Sequence, residues 1–582
     1  MADLILTNPV YGDQTWAAGN FEHFLLGKDS YIIDNPIGLT VNGASSYRTI
    51  LIEGSIVSTN NSGLTLGMSN SSESNSLYNT IIIGKEGSIQ GFLDAVTVKA
   101  RYTVLTNYGT LSATRSEAVL INGSFTSLNN FGDISSVSSD AILLNGDNTK
   151  IVNDGRILSE NDGITTIGRS TKVSNSGVIS ADGTAVSLSG SSGNRSVLVN
   201  TGDILSNESG VLAYGYGSKV VNSGQIASVG DGVVITYSGS LRNTGTISAD
   251  GVAVMYFYGL PATHEFRVIN HGSIDGGTQA IRVDNASTAT IFGRLVLNNT
   301  GTITGDVEIW SPAIHSDGHE ITNSGTILGD IRLRGSDDTY MGASGKIVGT
   351  VFGGGGDDLL VGGDEDNILN GDGNNDTLRG RDGDDTLNGG AGDDLIFGGD
   401  GDDTIVGGTG VDRISGGAGE DVINGGHGND TITGGAGDDI IHGVENRDIL
   451  RGEAGDDTLS GGSGNDILYG GKGDDALRGD FGRDRLIGGK GDDELTGGHQ
   501  NDIFVFGRHD GDDVVTDFTN GLDRFDISAF GLSVADYGTK IVPALSFVAG
   551  GVLIDFEILG GSGTVFVQGA NPLQFDVTDF IF

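Results

Sequence analysis

Gly389-Gly-Ala-Gly-Asp-Asp394-Leu-Ile396-Phe397, followed at once by Gly398-Gly-Asp-Gly-Asp-Asp403-Thr-Ile405-Val406, is the stretch whose reading settles the architecture. The same nine-residue frame runs unbroken for 17 units, from Gly353 to Val505. Its eighth position is Leu, Ile or Phe in every unit, from Leu360 to Phe504, and its sixth is Asp in all but one, the exception being Asn367. No helical period fits a repeat of nine. The first six residues form a Gly-rich turn whose backbone can take φ > 0 and turn its carbonyls inward. The last three form a short strand that sends one large apolar side chain into the core. Two units then close one 18-residue coil, with a turn on each side.

Units two apart bring their sixth-position Asp residues into columns, about 4.8 Å from coil to coil. In water, two such carboxylates repel by about 0.9 kcal/mol. Over the 15 stacked pairs that 17 units provide, 14 of them between two carboxylates, the sum rivals the roughly 5–15 kcal/mol net stability of a domain. The columns therefore need cations. Carboxylate and carbonyl oxygens without His or Cys select a hard ion, calcium rather than zinc. The expected ligands are Asp358, Asp376, Asp385, Asp394, Asp403, Asp412, Asp421, Asp430, Asp439, Asp448, Asp457, Asp466, Asp475, Asp484, Asp493 and Asp502, joined by backbone carbonyls of the turns. Glu365, Asn374, Asn446 and Gln500 replace the fourth-position Gly, so those turns are expected to bind weakly or stay empty, leaving roughly 10–15 ions. This array resembles the RTX repeat, GGxGxDxUx, over about 153 residues. The resemblance implies a calcium-loaded parallel β-roll.

A second, looser repeat lies within the first 350 residues. Its core is apolar-x-Asn-x-Gly-x-apolar, as in Leu105-Thr-Asn107-Tyr-Gly109-Thr-Leu111. It recurs at Asn130, Asn153, Asn175, Asn200, Asn222, Asn243, Asn270, Asn299 and Asn323, with intervals of 21 to 29 residues. A period of this length with short strands predicts a β-solenoid. Asn and Gly tolerate the left-handed turn conformation, and stacked Asn side chains can bond coil to coil. The pattern resembles the right-handed parallel β-helices of surface adhesins, autotransporter passengers and polysaccharide lyases.

The expected organisation is all-β. Residues 1–50, which lack the repeat and hold Trp16, Phe21, Phe24, Tyr31 and Pro36, form a cap or attachment segment. Residues 51–350 form a right-handed parallel β-helix, 351–505 the calcium roll, and 506–582 a small β cap. The last segment, from Phe504-Val-Phe506 to Asp579-Phe-Ile-Phe582, resembles the flank that follows RTX arrays in type I secretion, with an uncleaved C-terminal signal. Met1-Ala-Asp3-Leu is no secretory leader, and no run reaches the roughly 18 apolar residues of a membrane helix. Ile541 to Ile554 reads as two strands around a turn.

Composition narrows the function. The 77 acidic residues against 32 Lys+Arg give a formal net charge of −45, which argues against nucleic acid and anionic membranes. The absence of cysteine removes disulfides, zinc–thiolate sites and thiol catalysis. There is no His-Glu-x-x-His and no Gly-x-Ser-x-Gly. His315 and His319 flank a turn, His427 occupies a variable repeat position, and Arg478-Gly479-Asp480 spans a unit junction. The expectation is a secreted, calcium-dependent surface-layer subunit, matrix filament or adhesin. It folds and self-assembles on extracellular calcium, with itself and cell-surface polysaccharide as partners, no membrane insertion and no catalytic residues. The alternative is a β-helix polysaccharide lyase or uronan epimerase with an RTX tail, for which Asp317, His319 and Glu320 form a candidate cluster.

Overall fold

In the computed structural model the chain is described except at residue 1 and segments 7–9, 12–14, 18–20, 29, 35–38, 43–46, 61, 68–77, 190–194, 259–263, 286–292, 311–317 and 572–573. It divides into two compact units, residues 1–311 with 325–329, and residues 312–324 with 330–582.

The first unit is a parallel β-solenoid with three short strands per coil. Thr103–Asn107, Thr110–Ala113 and Val119–Ile121 make one coil; Ser127–Asn130, Asp133–Ser136 and Ile142–Leu144 make the next. They pair in parallel with no shift, Leu105 on Leu128, Leu111 on Ile134 and Ile121 on Leu144. The apolar residues two before and four after each Asn point inward, because residues of one strand alternate faces. Leu105, Leu128, Ile151 and Val173 form one buried column and Leu111, Ile134, Ile157 and Ile179 another.

The Asn ladder bonds coil to coil. From Asn107 to Asn299, each Nδ2 donates to the Oδ1 of the next Asn at 2.7–2.9 Å. The role of the motif glycine differs from the expected left-handed turn. A Cβ on Gly132 would lie 2.1 Å from the Gly109 carbonyl oxygen, and one on Gly155 would lie 2.1 Å from that of Gly132. Close backbone approach, not positive φ, demands glycine here. The left-handed residues sit at another corner, at Tyr102, Phe125, Asn148 and Ser170 (φ 54–58°).

Residues 1–50 lack the Asn-x-Gly signature, yet their strands wind as coils of the same solenoid. Ala2–Leu6 pairs in parallel with Phe21–Leu26, and that strand with Tyr47–Ile52. Val10–Tyr11 and Thr15–Ala17 likewise pair with Tyr31–Asp34 and Leu39–Asn42. These coils reach the same three-strand plan without the Asn-x-Gly signature, so the sequence pattern misses them. Pro36 lies outside the described residues.

The second unit is a roll with two strands per coil and an 18-residue offset. Thr386–Ala391 pairs with Thr404–Thr409, and Leu395–Asp400 with Arg413–Ala418. All 17 eighth-position side chains, Leu360 to Phe504, are buried between the two sheets. The roll pairing begins before residue 351: Ile331 already pairs with Val351 and Thr339 with Leu359. After the array, Arg524–Asp526 continues one sheet against Ile503–Val505. Leu545–Val548 and Gly551–Asp555 form an antiparallel hairpin against Ser562–Gln568. Phe504, Phe518, Phe525, Phe575 and Phe580 close the end of the core with rings 4.5–6.5 Å apart. Among the described residues, no helix is long and apolar enough to cross a membrane.

Candidate metal centre

Each sixth-position Asp is held inside by its own strand. Positions six and eight share a face, so the buried apolar side chain carries the carboxylate under the coil with it. All 16 Asp side chains are buried. Units two apart do stack, and backbone amides wire the columns. Asp394 N–H donates to Asp412 Oδ1 at 2.9 Å and Asp412 N–H to Asp430 Oδ1 at 2.9 Å; the other column repeats this through Asp403, Asp421 and Asp439.

Only half of each carboxylate is satisfied. Oδ2 of every one of the 16 is buried and accepts no hydrogen bond. A buried unsatisfied polar atom costs about 1–3 kcal/mol, and more when charged. The first position of the repeat explains what Oδ2 faces. It is Gly in all 17 units. A Cβ on Gly389 would lie 2.4 Å from Asp394 Oδ2 and 2.6 Å from the carbonyl oxygen of Gly407 in the next coil; Gly398 repeats this with Asp403 and Gly416. The missing side chain leaves a carboxylate oxygen and a carbonyl oxygen facing one small space with no donor between them. Oxygens alone, one of them anionic, suit a hard cation such as calcium. Among the described residues, no three His, Cys, Asp or Glu side chains converge to hold an ion. Each turn supplies a single carboxylate, and the remaining oxygens belong to the backbone.

The electrostatics correct one expectation. Burial is the leading reason these carboxyls titrate high: Asp358 is pushed up to about 8, Asp376, Asp385 and Asp412 to about 7, and Asp403 and Asp421 to about 6. The amide bond to Oδ1 opposes the shift, and repulsion from the stacked neighbours ranks third. Desolvation, ahead of repulsion between stacked neighbours, is thus the larger cause of the raised carboxyl pKa values.

Of the irregular turns, Asn374, Asn446 and Gln500 keep the left-handed backbone (φ 82, 77 and 89°), and the Asp of each unit retains its free Oδ2. The backbone gives no reason for these turns to be empty. Unit 362–370 is different. Asn367 Oδ1 accepts the Gly363 amide at 2.5 Å, so the turn closes on itself, and Glu365 pairs outward with Lys346 at 2.9 Å.

The columns also run past the array. Asp338 is buried, donates its amide to Asp358 Oδ1 at 2.7 Å and has the same unpartnered Oδ2. Asp513 accepts from Asp493 N–H at 3.1 Å and Asp523 from Asp502 N–H at 2.9 Å. Asp523 Oδ2 also takes the Thr519 amide at 2.7 Å, which ends its column. Offsets of 20 and 21 residues hid these positions from a strict frame. The signal was present in Asp337-Asp338-Thr-Tyr340, which echoes Asp384-Asp385-Thr-Leu387.

His315 and Asp317 lie outside the described residues. His319 is buried, and its amide donates to Asp338 Oδ1 at 2.6 Å. His427 pairs with Glu445 at 2.8 Å. Asp480 is held by Arg478 at 3.0 Å and by Ser460 at 2.7 Å, so that tripeptide is engaged within the roll. An open groove of about 810 Å³ on the first unit is lined by small residues with Asp182, Asp250 and Asp275; its described lining includes no His, Lys, Arg or Glu.

The family model of the RTX calcium-binding nonapeptide repeat (4 copies) matches residues 352–387, 370–405, 379–414, 406–441, 442–477 and 478–508. No curated protein matches the chain. Among solved structures, the crystal structure of extracellular lipase LipA from Serratia marcescens is similar over 50% of this chain and 45% of that chain, at 16% identity and a TM-score of 0.18. The match spans less than half of that lipase, and a TM-score this low carries no argument about fold or activity. The buried Asp columns and the family match agree: residues 352–508 are RTX calcium-binding nonapeptide repeats, forming the roll of a calcium-binding β-solenoid protein.

Proposed function

We propose that the protein is a secreted, calcium-dependent structural component of a cell surface or matrix, which completes its fold on extracellular calcium and then assembles with itself. The observation that carries this reading is the set of buried, unpartnered Asp Oδ2 atoms along the roll. At low cytosolic calcium these carboxylates oppose burial, so the roll stays loose enough to export. Calcium outside supplies the missing charge, and binding and folding become one reaction. RTX repeats are typical of chains exported by type I systems, and the C-terminal flank resembles theirs. The first unit is built as rod, with an Asn ladder and apolar columns filling its interior.

Negative-stain microscopy and circular dichroism of chelator-treated protein, before and after millimolar calcium, test the proposal. Sheets or filaments should appear together with added β signal. Monodisperse particles in calcium would overturn the structural reading, and an unchanged spectrum would overturn calcium-coupled folding.

A further inference from the structure

We infer that the roll has two chemically different rows of turns, and that its arginine-bearing row docks on the acidic row of a second copy of this chain. The inference rests on the assembly reading above and names the surface that performs it.

The 18-residue coil sorts alternate units into two rows. In the row that starts at Gly362, the fifth position is acidic in all eight units, from Asp366 to Asp492. Several of these carboxylates are fixed in place: Asp384, Asp438 and Asp456 each accept an amide from the following coil at 2.8–3.0 Å. Such preorganised acids lose little freedom on binding a partner.

The other row begins with Asp357, Asn375 and Asp393 but then has no acid at the fifth position. Its last six residues there are Val411, Asn429, Arg447, Asn465, Arg483 and Asn501. Acids do occur at its other positions, but Glu445 is paired with His427 and Asp480 with Arg478. Arg447 and Arg483 are exposed and form no ion pair among the described residues. Asn429 and Asn465 orient their coils by accepting the amides of Arg447 and Arg483 at 3.0 and 2.9 Å. Asn429, Arg447 and Asn465 border an open groove of about 590 Å³ beside Phe481, which is 58% exposed and stacks on His499 at 4.7 Å. In a chain of net charge −45, six consecutive turns without a fifth-position acid set this row apart.

Between Glu420 and Asp456 the acidic row matches it in charge and spacing. Arg447 and Arg483 lie two coils apart, about 10 Å at the interstrand spacing. Glu420 and Asp456 are separated by the same two coils. Beside them the third positions are Ala418, Ala436 and Ala454, small enough to leave room for the Phe481 ring. Two rolls of identical axial period can therefore meet row to row without losing register. Because the two surfaces differ, the contact is heterologous and propagates sideways into an open array.

The test uses the full chain in millimolar calcium, followed by sedimentation velocity and negative stain. The double variant R447E/R483E should keep the dichroism of the parent in millimolar calcium but need at least tenfold more protein to assemble. The acidic-row variant E420R/D456R should do the same, and an equimolar mixture of the two should assemble again. Raising the salt concentration should dissolve parental arrays, because exposed charge pairs are screened. If R447E/R483E assembles like the parent, the proposed surface is wrong while the assembly reading stands. If the parent itself stays monodisperse, both fall.

Discussion

At the scale of the residue, the decisive atom is Asp Oδ2. Oδ1 of each sixth-position Asp is satisfied by an amide, whereas Oδ2 is buried without a donor. Asn367 shows the alternative, with an oxygen that closes on its own turn. Asp403→Asn should therefore act in opposite directions. Without calcium it removes a buried unpaired charge and should raise stability; with calcium it should lower the bound-ion count by one or two. Calorimetric titration and chelator-treated melts read the two effects. Asp338→Asn should lower the ion count by about one, although it lies outside the nonapeptide frame; an unchanged count would place the start of the column at Asp358. Val444 holds a second-position turn at φ 85°, where a β-branched side chain is strained. Val444→Gly should raise the stability of the calcium-bound roll by about 1 kcal/mol, measured by urea unfolding.

At the scale of the element, each unit is a stack held by its own ladder. In the first unit, Asn175 bonds both neighbours, receiving from Asn153 at 2.7 Å and donating to Asn200 at 2.8 Å. Asn175→Ala leaves buried amide groups without that partner and should cost about 1–3 kcal/mol. In the roll, the Asp columns add a pH dependence. Burial pushes Asp358, Asp376 and Asp403 up to about 8, 7 and 6, above the ordinary value of 3.8, and the other column carboxyls upward as well. The folded state thus binds more protons than the unfolded state between those limits. The stability this confers is complete below about pH 4 and is lost as pH rises through 6 to 8. Calcium-free protein should gain roll β-structure on acidification from pH 8 toward pH 4, followed by circular dichroism, and calcium uptake near neutrality should release protons. A calcium-free spectrum that is flat with pH would contradict the buried columns.

At the scale of the molecule, two units with different internal chemistry should answer calcium differently. Chelation should melt the roll and leave the Asn-laddered unit intact, so hydrogen exchange should separate them. Fast exchange is expected after residue 330 and slow exchange between residues 103 and 250. Uniform protection in excess chelator would show that calcium is not needed to hold the roll.

Much of this was legible in the chain itself. A nine-residue frame with an apolar eighth position admits one strand per unit, and an Asp at position six must then share its buried face. That logic yielded the roll, the carboxylate series and the hard cation, because each follows from local periodicity. The Asn-x-Gly repeat likewise marked the solenoid and its ladder. What escaped depended on contacts between coils. The coils within residues 1–50 build the three-strand plan from other residues. The motif glycine answers to a carbonyl one coil away, 2.1 Å from where a Cβ would sit on Gly132. Asp338, Asp513 and Asp523 join the columns through offsets that no fixed frame contains. Desolvation outranked repulsion only once each carboxylate was seen under its coil. Periodicity within one strand is a property of the sequence, whereas burial, close approach and stacking register arise between coils and exist only when the chain is wound.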